Sequence, residues 1–214
     1  MQKNETKLLA SRAVNKIGNV MYDYGNSVWI AGLGAVGQKY MGYYQLAENI
    51  ISLFLNPIGG AVADRFKRRK ILLVTDLIGG LMCALLALIG SDSIMLYGLI
   101  TVNAVLAVMH AFSGTSFKSY VATIVAQDRL VAFNSHLEAI SQIVSISSPL
   151  FAFLFVDRFG LKPTLLLDSV TFFLSFLFLY SIRETEAHVS ANQKSVTVKT
   201  ILTDIYEGIV FTVK

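Results

Sequence analysis

The sequence predicts an all-α, polytopic membrane protein of six transmembrane helices, and three observations carry that prediction. Hydrophobic residues make up 54% of the 214 and charged residues only 15%, with 14 Phe. With a mean hydropathy of +0.59, this is too apolar for a water-soluble domain of such length. Apolar runs of about 20 residues, the length of helix that crosses roughly 30 Å of hydrocarbon, recur along the chain. Threading those runs through a bilayer puts nearly all the basic residues on one side.

The runs fall at 11–36, 40–63, 71–89, 94–116, 130–156 and 163–182. The first is the least apolar, because it holds Asn15, Lys16, Asn19, Asp23 and Asn26. The start, "MQKNETKLLASRAVNK", lacks the apolar core and small-residue cleavage site of a removable signal peptide, so the first span is expected to stay as an uncleaved anchor. The second run ends in "GGAVADRFKRRK", with six charges in the seven positions 64–70. The third contains Cys83, the sole cysteine, which excludes an intrachain disulfide and a cysteine metal site. No Lys or Arg lies in the fourth, the fifth carries Pro149, and the sixth carries Asp168.

With the N-terminus inside, 15 of the 18 Lys and Arg residues fall in cytoplasmic segments, and only Lys39, Arg158 and Lys162 fall outside. This is the positive-inside bias, and it places both termini in the cytoplasm. It explains the basic pI of about 9.1 without a nucleic-acid partner. The same bias explains most of the 64–70 cluster, but not its one acid, Asp64, or the two glycines before it.

Gly60, Asp64, Arg65, Arg68 and Arg69, between the second and third spans, match the spacing of the G-x-x-x-D-R-x-G-R-R loop, and here the chain resembles the major facilitator superfamily. Lys67 stands where that family usually has Gly. The resemblance implies one six-helix half of a major facilitator fold. It also implies that this loop latches two halves together in the outward-facing state and releases them for the inward-facing one. Gly60 is expected to let a neighbouring helix approach closely, and Asp64 to meet a helix N-terminus or an Arg of the other half. "RLVAFNSHLEAISQIVSISSP" and "LLLDSVTFFLSF" look like the macrolide-efflux-type branch of the drug:proton antiporters, which implies efflux, multidrug resistance and a bacterial plasma membrane. The Arg that many such antiporters carry in the fourth span is missing. Their Gly-Pro-x-x-Gly-Gly motif appears only as "SPLFAF", where Ser148, Pro149 and Ala152 can still serve helix packing while Phe153 is bulky.

Six spans are half of the superfamily's twelve. Residues 1–10 read as a cytoplasmic N-terminus, 11–182 as the bundle, and 183–214 as a cytoplasmic linker with an amphipathic helix leading towards a second half. That half is expected as a missing C-terminal portion, a separate chain, or a second copy. No internal sequence repeat is evident on inspection.

Polar residues inside the spans mark the expected path. Asn19, Asp23 and Asn26 lie near one face of the first span; Gln45, Glu48 and Asn49 fall together in the second; Asn134, Glu138 and Gln142 follow at steps of four in the fifth. Asp23 lies roughly twelve residues into its span, about 18 Å at ~1.5 Å per residue. A carboxylate at that depth is costly, and is a functional candidate by default. Asp23, Glu48 and Glu138 are therefore the proton-coupling candidates. Asn19, Asn26, Gln45, Asn49, Asn134 and Gln142 are the substrate-path candidates, with interhelical hydrogen bonding as the competing role. For Glu138 a structural pair with Arg129 or Lys118 competes. Asp76 and Asp168 suit structural hydrogen bonds, and His110 and His136 lack a second ligand at metal spacing. No phosphate loop, zinc motif or nucleophile elbow is present, so neither a cofactor nor an enzymatic activity is expected.

The reading is a secondary transporter in the lipid bilayer, exchanging protons for a small hydrophobic substrate. A substrate-specific exporter or importer of the same fold, or a six-helix remnant that only binds a partner, stays open as the alternative.

Overall fold

Each apolar run lies mostly on one helix, the first ending four residues earlier than expected, at Gly32. The computed structural model describes residues 3–182, apart from the side chains of Ala61 and Asp64; the linker and amphipathic segment expected over 183–214 lie outside the described residues. The helices are α1 (Lys3–Gly32), α2 (Ala35–Arg65), α3 (Arg68–Ala87), α4 (Asp92–Ile124), α5 (Leu130–Phe159) and α6 (Leu161–Tyr180), with a 3-10 turn at Gln127–Arg129.

Two helices outgrow their apolar runs because side chains find cover beyond them. Residues 3–10, within the segment read as the N-terminus, form the first turns of α1: Leu8 is fully buried, and buried Glu5 is held by Arg129 Nη2 at 2.9 Å. The second half of α4 continues past 116 because Phe117, Tyr120, Val121 and Ile124 bury in a cluster with Leu8, Leu72 and Leu179. Among the described residues four helices, α3, α4, α5 with the turn before it, and α6, are long and apolar enough to cross a membrane by themselves. Helix α1 falls short, because Asn15, Lys16, Asn19, Asp23 and Asn26 dilute its apolar length.

Neighbouring helices run α2, α4, α3, α6, α1, α5, with α1 also touching α2 and α4. Exchanging α1–α3 for α4–α6 maps this order onto itself, the three-plus-three arrangement of a nested repeat. Side chains obey the same exchange. Ser175 Oγ of α6 donates to Asp76 Oδ2 of α3 at 2.6 Å, and Cys83 Sγ of α3 donates to Asp168 Oδ2 of α6 at 3.3 Å. Each donor lies seven residues, two turns, beyond the aspartate of its own helix.

With the helices paired in this way, a repeat does become visible in the sequence. Residues 56–76, "NPIGGAVADRFKRRKILLVTD", align with 148–168, "SPLFAFLFVDRFGLKPTLLLD". Shared are Pro57 with Pro149 inside α2 and α5, the Asp-Arg-Phe at 64–66 and 157–159, Lys70 with Lys162, and Asp76 with Asp168. A one-residue slip on either side of Asp-Arg-Phe hides the match from a fixed-period search.

Four contacts gather one end of the bundle. Lys7 Nζ donates to Ser181 O at 2.6 Å, Arg69 Nε to Leu179 O at 3.1 Å, and Arg68 Nη1 to Ser119 O at 3.1 Å, while Glu5 holds Arg129. The start of α1, the α2–α3 turn and the ends of α4 and α6 therefore share this basic end. Lys39, Arg158 and Lys162 belong to the opposite end, as the alternating course of six helices requires.

Candidate functional site

Asn19 and Asp23 sit one turn apart on α1 and therefore share a face. With Glu48 of α2 and Asn103 and His110 of α4, they line a cavity of about 30 Å³ floored by Tyr22, Leu106 and Ala107. That is room for about one water. Asp23 is exposed and Glu48 half-buried, and both line this space, so two carboxylates from different helices face one small polar volume. Its walls are tied from behind: Asn103 Nδ2 donates to Tyr44 O at 3.0 Å, and Asn26 Nδ2 donates to Tyr44 Oη at 3.3 Å. Asn26 is fully buried. In this conformation it joins α1 to α2 and does not face the path. Of the path candidates, only Asn19 lines the cavity.

Sequence reasoning passed over Asn103 and set aside His110. The signal was their spacing: seven residues apart on α4, they occupy one face two turns apart.

A second polar cluster lies nearer the basic end. Asn15 Nδ2 donates to Asp76 Oδ1 at 3.2 Å, and Asn19 Nδ2 donates to Asn15 Oδ1 at 2.9 Å. Arg12 lines the adjoining cavity of about 20 Å³, with its guanidinium 5.0 Å from the ring centre of Phe117. Asp76 and Asp168 are both buried and hydrogen-bonded.

In the 64–70 loop the close approach belongs to Gly59, one residue before the glycine expected to make it. A Cβ on Gly59 would run into the main chain of Ala111 on α4, whereas one on Gly60 would meet nothing. One residue turns the helix face by about 100°, which carries Gly60 off the α4 contact. Arg68 donates to Ser119 O and to Thr123 Oγ1 at 3.0 Å. Arg69 donates to Leu179 O and to Tyr180 O at 2.5 Å, and stacks on the Tyr180 ring at 5.7 Å. Carbonyls in the last turn of a helix lack intrahelical donors, so Arg69 caps α6. Both arginines thus bind within the bundle. Arg65 is half-buried, and the side chain of Asp64 lies outside the described residues. Lys67 takes an ordinary extended conformation, φ −62° and ψ 111°, so the turn closes without the family's glycine.

On α5 the buried stripe is Val144, Ser148, Ala152 and Val156, at steps of four. Ser148 and Ala152 are thus on the packed face, Pro149 beside it is half-buried, and Phe153 points outward. Asn134, Glu138 and Gln142 are exposed on this helix, with Gln142 Nε2 donating to Glu138 Oε1 at 2.6 Å. Arg129, the structural partner considered for Glu138, is taken by Glu5. Gln45 and Asn49 are likewise exposed on α2 and away from the cavity. Among the described residues no group of three His, Cys, Asp or Glu side chains is placed to hold a metal ion.

A bundle of long apolar helices with carboxylates and amides turned onto a small internal space is the build of a multi-pass membrane protein that handles solutes. The chain belongs to the Major Facilitator Superfamily, whose model matches residues 18–211. It is therefore a member of a family of membrane transporters and not an enzyme, and its six described helices correspond to one half of that fold. The match is to the superfamily as a whole and singles out no branch. No curated protein matches the chain.

Proposed function

We propose that this chain forms the N-terminal half of a proton-coupled exporter of small hydrophobic compounds, with substrate bound between it and a second six-helix half. The observation that carries the reading is the pair Asp23 and Glu48 on one cavity. Two ionised carboxylates facing one small volume repel each other, so a single bound proton changes the charge of that wall substantially. A ligand or proton that binds one conformation better shifts the population towards it, which is what coupling requires.

Support for a second half comes from α2 and α5, the two ends of the packing order. Both expose polar groups, Gln45 and Asn49 on one and Asn134, Glu138 and Gln142 on the other, beside large apolar side chains such as Leu53 at 72% and Ile146 at 79%. Polar groups are costly against lipid and suit a protein-lined, wet path. The orientation with the basic end in the cytoplasm of a bacterial cell, the macrolide-efflux-type branch and a latch at Asp64 belong to the same proposal.

The test is loss of ethidium from preloaded cells expressing the complete gene, with and without a protonophore. Protonophore-sensitive efflux above that of the empty vector is expected. Efflux that persists without a proton gradient, or dye uptake in its place, would replace this reading with a differently coupled exporter or an importer of the same fold.

A further inference from the structure

The two polar cavities meet at one side chain, His110, which lines both the space beside Asp23 and Glu48 and the space beside Arg12 and Asp76. A chain of hydrogen bonds of fixed direction runs between them. Ser175 Oγ and Asn15 Nδ2 both donate to Asp76, at 2.6 and 3.2 Å. An ionised carboxylate only accepts, so Asn15 must spend its NH₂ there and keep its oxygen for Asn19, whose Nδ2 donates to it at 2.9 Å. The same Asn19 nitrogen lies 3.3 Å from His110 Nε2 and has a second hydrogen to give. With Asp76 ionised, then, Nε2 accepts and the ring carries its proton on Nδ1.

A proton on Asp76 Oδ1, with Ser175 Oγ still donating to Oδ2, reverses every link from Asn15 onward. One O–H bond forms on the carboxyl, which now donates towards Asn15. The Asn15 amide turns over to accept it and offers its NH₂ to Asn19, and Asn19 turns over to present its oxygen to both Asn15 and His110. Nε2 must then carry a hydrogen, either a second proton that makes imidazolium or the one leaving Nδ1 through water.

We infer that Asp76 and His110 form a linked proton-binding pair, joined by the amides of Asn15 and Asn19, through which a proton on buried Asp76 is read at the cavity that holds Asp23 and Glu48. The charged groups around the pair are Arg12, Lys16 and Asp23 from α1 and Glu48 from α2, while α6 contributes only the neutral Ser175. The geometry stands alone; only its use in coupling rests on the transport reading.

The test is nitrogen NMR of the 214-residue chain in lipid nanodiscs, with ¹⁵N-labelled histidine and His136→Gln and His188→Gln so that His110 alone reports. The neutral ring is expected as the Nδ1–H tautomer only. In Asp76→Asn, whose amide can donate as well as accept, the Nε2–H tautomer should appear at comparable population, and Asn19→Leu should abolish that response. The same tautomer with Asp76 and with Asn at that position, or a response that survives Asn19→Leu, would overturn the pair. Should Asp76→Asn not fold, pH titration of the unaltered residues serves. The Asp76 carboxyl carbon signal and the His110 tautomer should change over one common pH range, and separate ranges would overturn the pair equally. Linked titration in a protein without proton-driven efflux would sink the transport reading and leave the pair standing.

Discussion

The α2–α3 and α5–α6 turns write one sequence frame at opposite ends of the bundle and fill it with different chemistry. Both follow a proline-bearing helix, carry Asp-Arg-Phe, and precede a lysine and then an aspartate buried between α3 and α6. The first turn continues as Lys-Arg-Arg-Lys, and its arginines grip the ends of α4 and α6. The second continues as Gly-Leu-Lys and closes on Gly160 at φ 80°. The shared frame is what two-fold related backbones need. The surplus of cations at one end is what a bilayer sorts by side. A similar division holds inside the bundle, where the first repeat supplies Asp23 and Glu48 to the central cavity and the second supplies the uncharged amide of Asn103 and His110.

The largest expected effect tests that inner asymmetry. In the complete transporter, Asp23→Asn should abolish gradient-driven dye efflux while dye binding remains measurable, because the amide keeps shape and hydrogen bonding but carries no proton. Glu138→Gln, on the second repeat and away from the central cavity, should reduce efflux less than Asp23→Asn does. Wild-type efflux by the Asp23→Asn protein would move the coupling site elsewhere, and Glu48→Gln would be measured next.

Loss of fold comes next, and it separates two adjacent glycines. Gly59→Leu would drive a side chain into the main chain of Ala111, a backbone that cannot yield as a flexible side chain does, whereas the same change at Gly60 enters open space. The first should cost about 3 kcal/mol or more and the second under ~1. Cys83 is fully buried and is the only thiol, so its reaction with a maleimide dye during a thermal ramp reports unfolding directly. Equal shifts for the two variants would mean that α2 meets α4 through a different face.

What could be read from the sequence follows from which signals are one-dimensional. Apolar length and the side preference of Lys and Arg are local, so six helices and their alternation were legible, and Asp23 stood out because a carboxylate in an apolar run is conspicuous by itself. Which residues meet is not local. That Asp23 and Glu48 share a cavity with His110 depends on how α1, α2 and α4 cross. The choice between Gly59 and Gly60 turns on 100° of helix rotation, which a motif does not encode. The Glu5 partner of Arg129 was hidden because residues 1–10 precede the first apolar run and read only as a cytoplasmic N-terminus. The repeat was missed for a different reason: its two copies keep their spacing only to within one residue, so they become visible after the helices are paired and not before.

Gly160 sets the next prediction. At φ 80° and ψ −177° it occupies a region that is open essentially to glycine alone. Gly160→Ala should therefore cost about 1–3 kcal/mol even though no atom stands near the new methyl group. A thermal shift as small as that of an exposed Ala substitution on α5 would mean that the turn relaxes to another conformation.

The arginine grip should be worth somewhat less. Arg69→Ala removes hydrogen bonds to Leu179 and Tyr180 together with a ring contact, and hydrogen bonds to a charged group are worth about 1.5–3 kcal/mol where they are buried. Arg69 is half-exposed, so a loss of about 1–2 kcal/mol is expected. Arg158→Ala, in the Asp-Arg-Phe of the other turn where it matches Arg65, removes an exposed side chain and should stay within ~0.5 kcal/mol. Equal losses would show that the Asp-Arg-Phe arginine stabilises its turn as much as the added cation Arg69 stabilises the other.

Lys67→Gly carries the smallest expected effect and says most about the missing glycine. Lys67 aligns with Gly160, and the superfamily's loop usually has glycine there, so the change makes the two turns more alike. Yet Lys67 sits at φ −62° and ψ 111°, where any L-residue is comfortable and glycine gains no strain relief. Glycine does widen the unfolded ensemble, which costs about 0.4–1 kcal/mol where the folded backbone needs no special freedom. Lys67→Gly should therefore lower the thermal midpoint slightly, while Gly160→Ala lowers it more, although the two substitutions run in opposite chemical directions. A rise in stability on Lys67→Gly would instead indicate that the turn spends time in a second conformation, with positive φ at position 67, that the lysine suppresses. In that event the same variant should also change the rate of dye efflux, because a loop proposed to latch and release would have had its resting population altered.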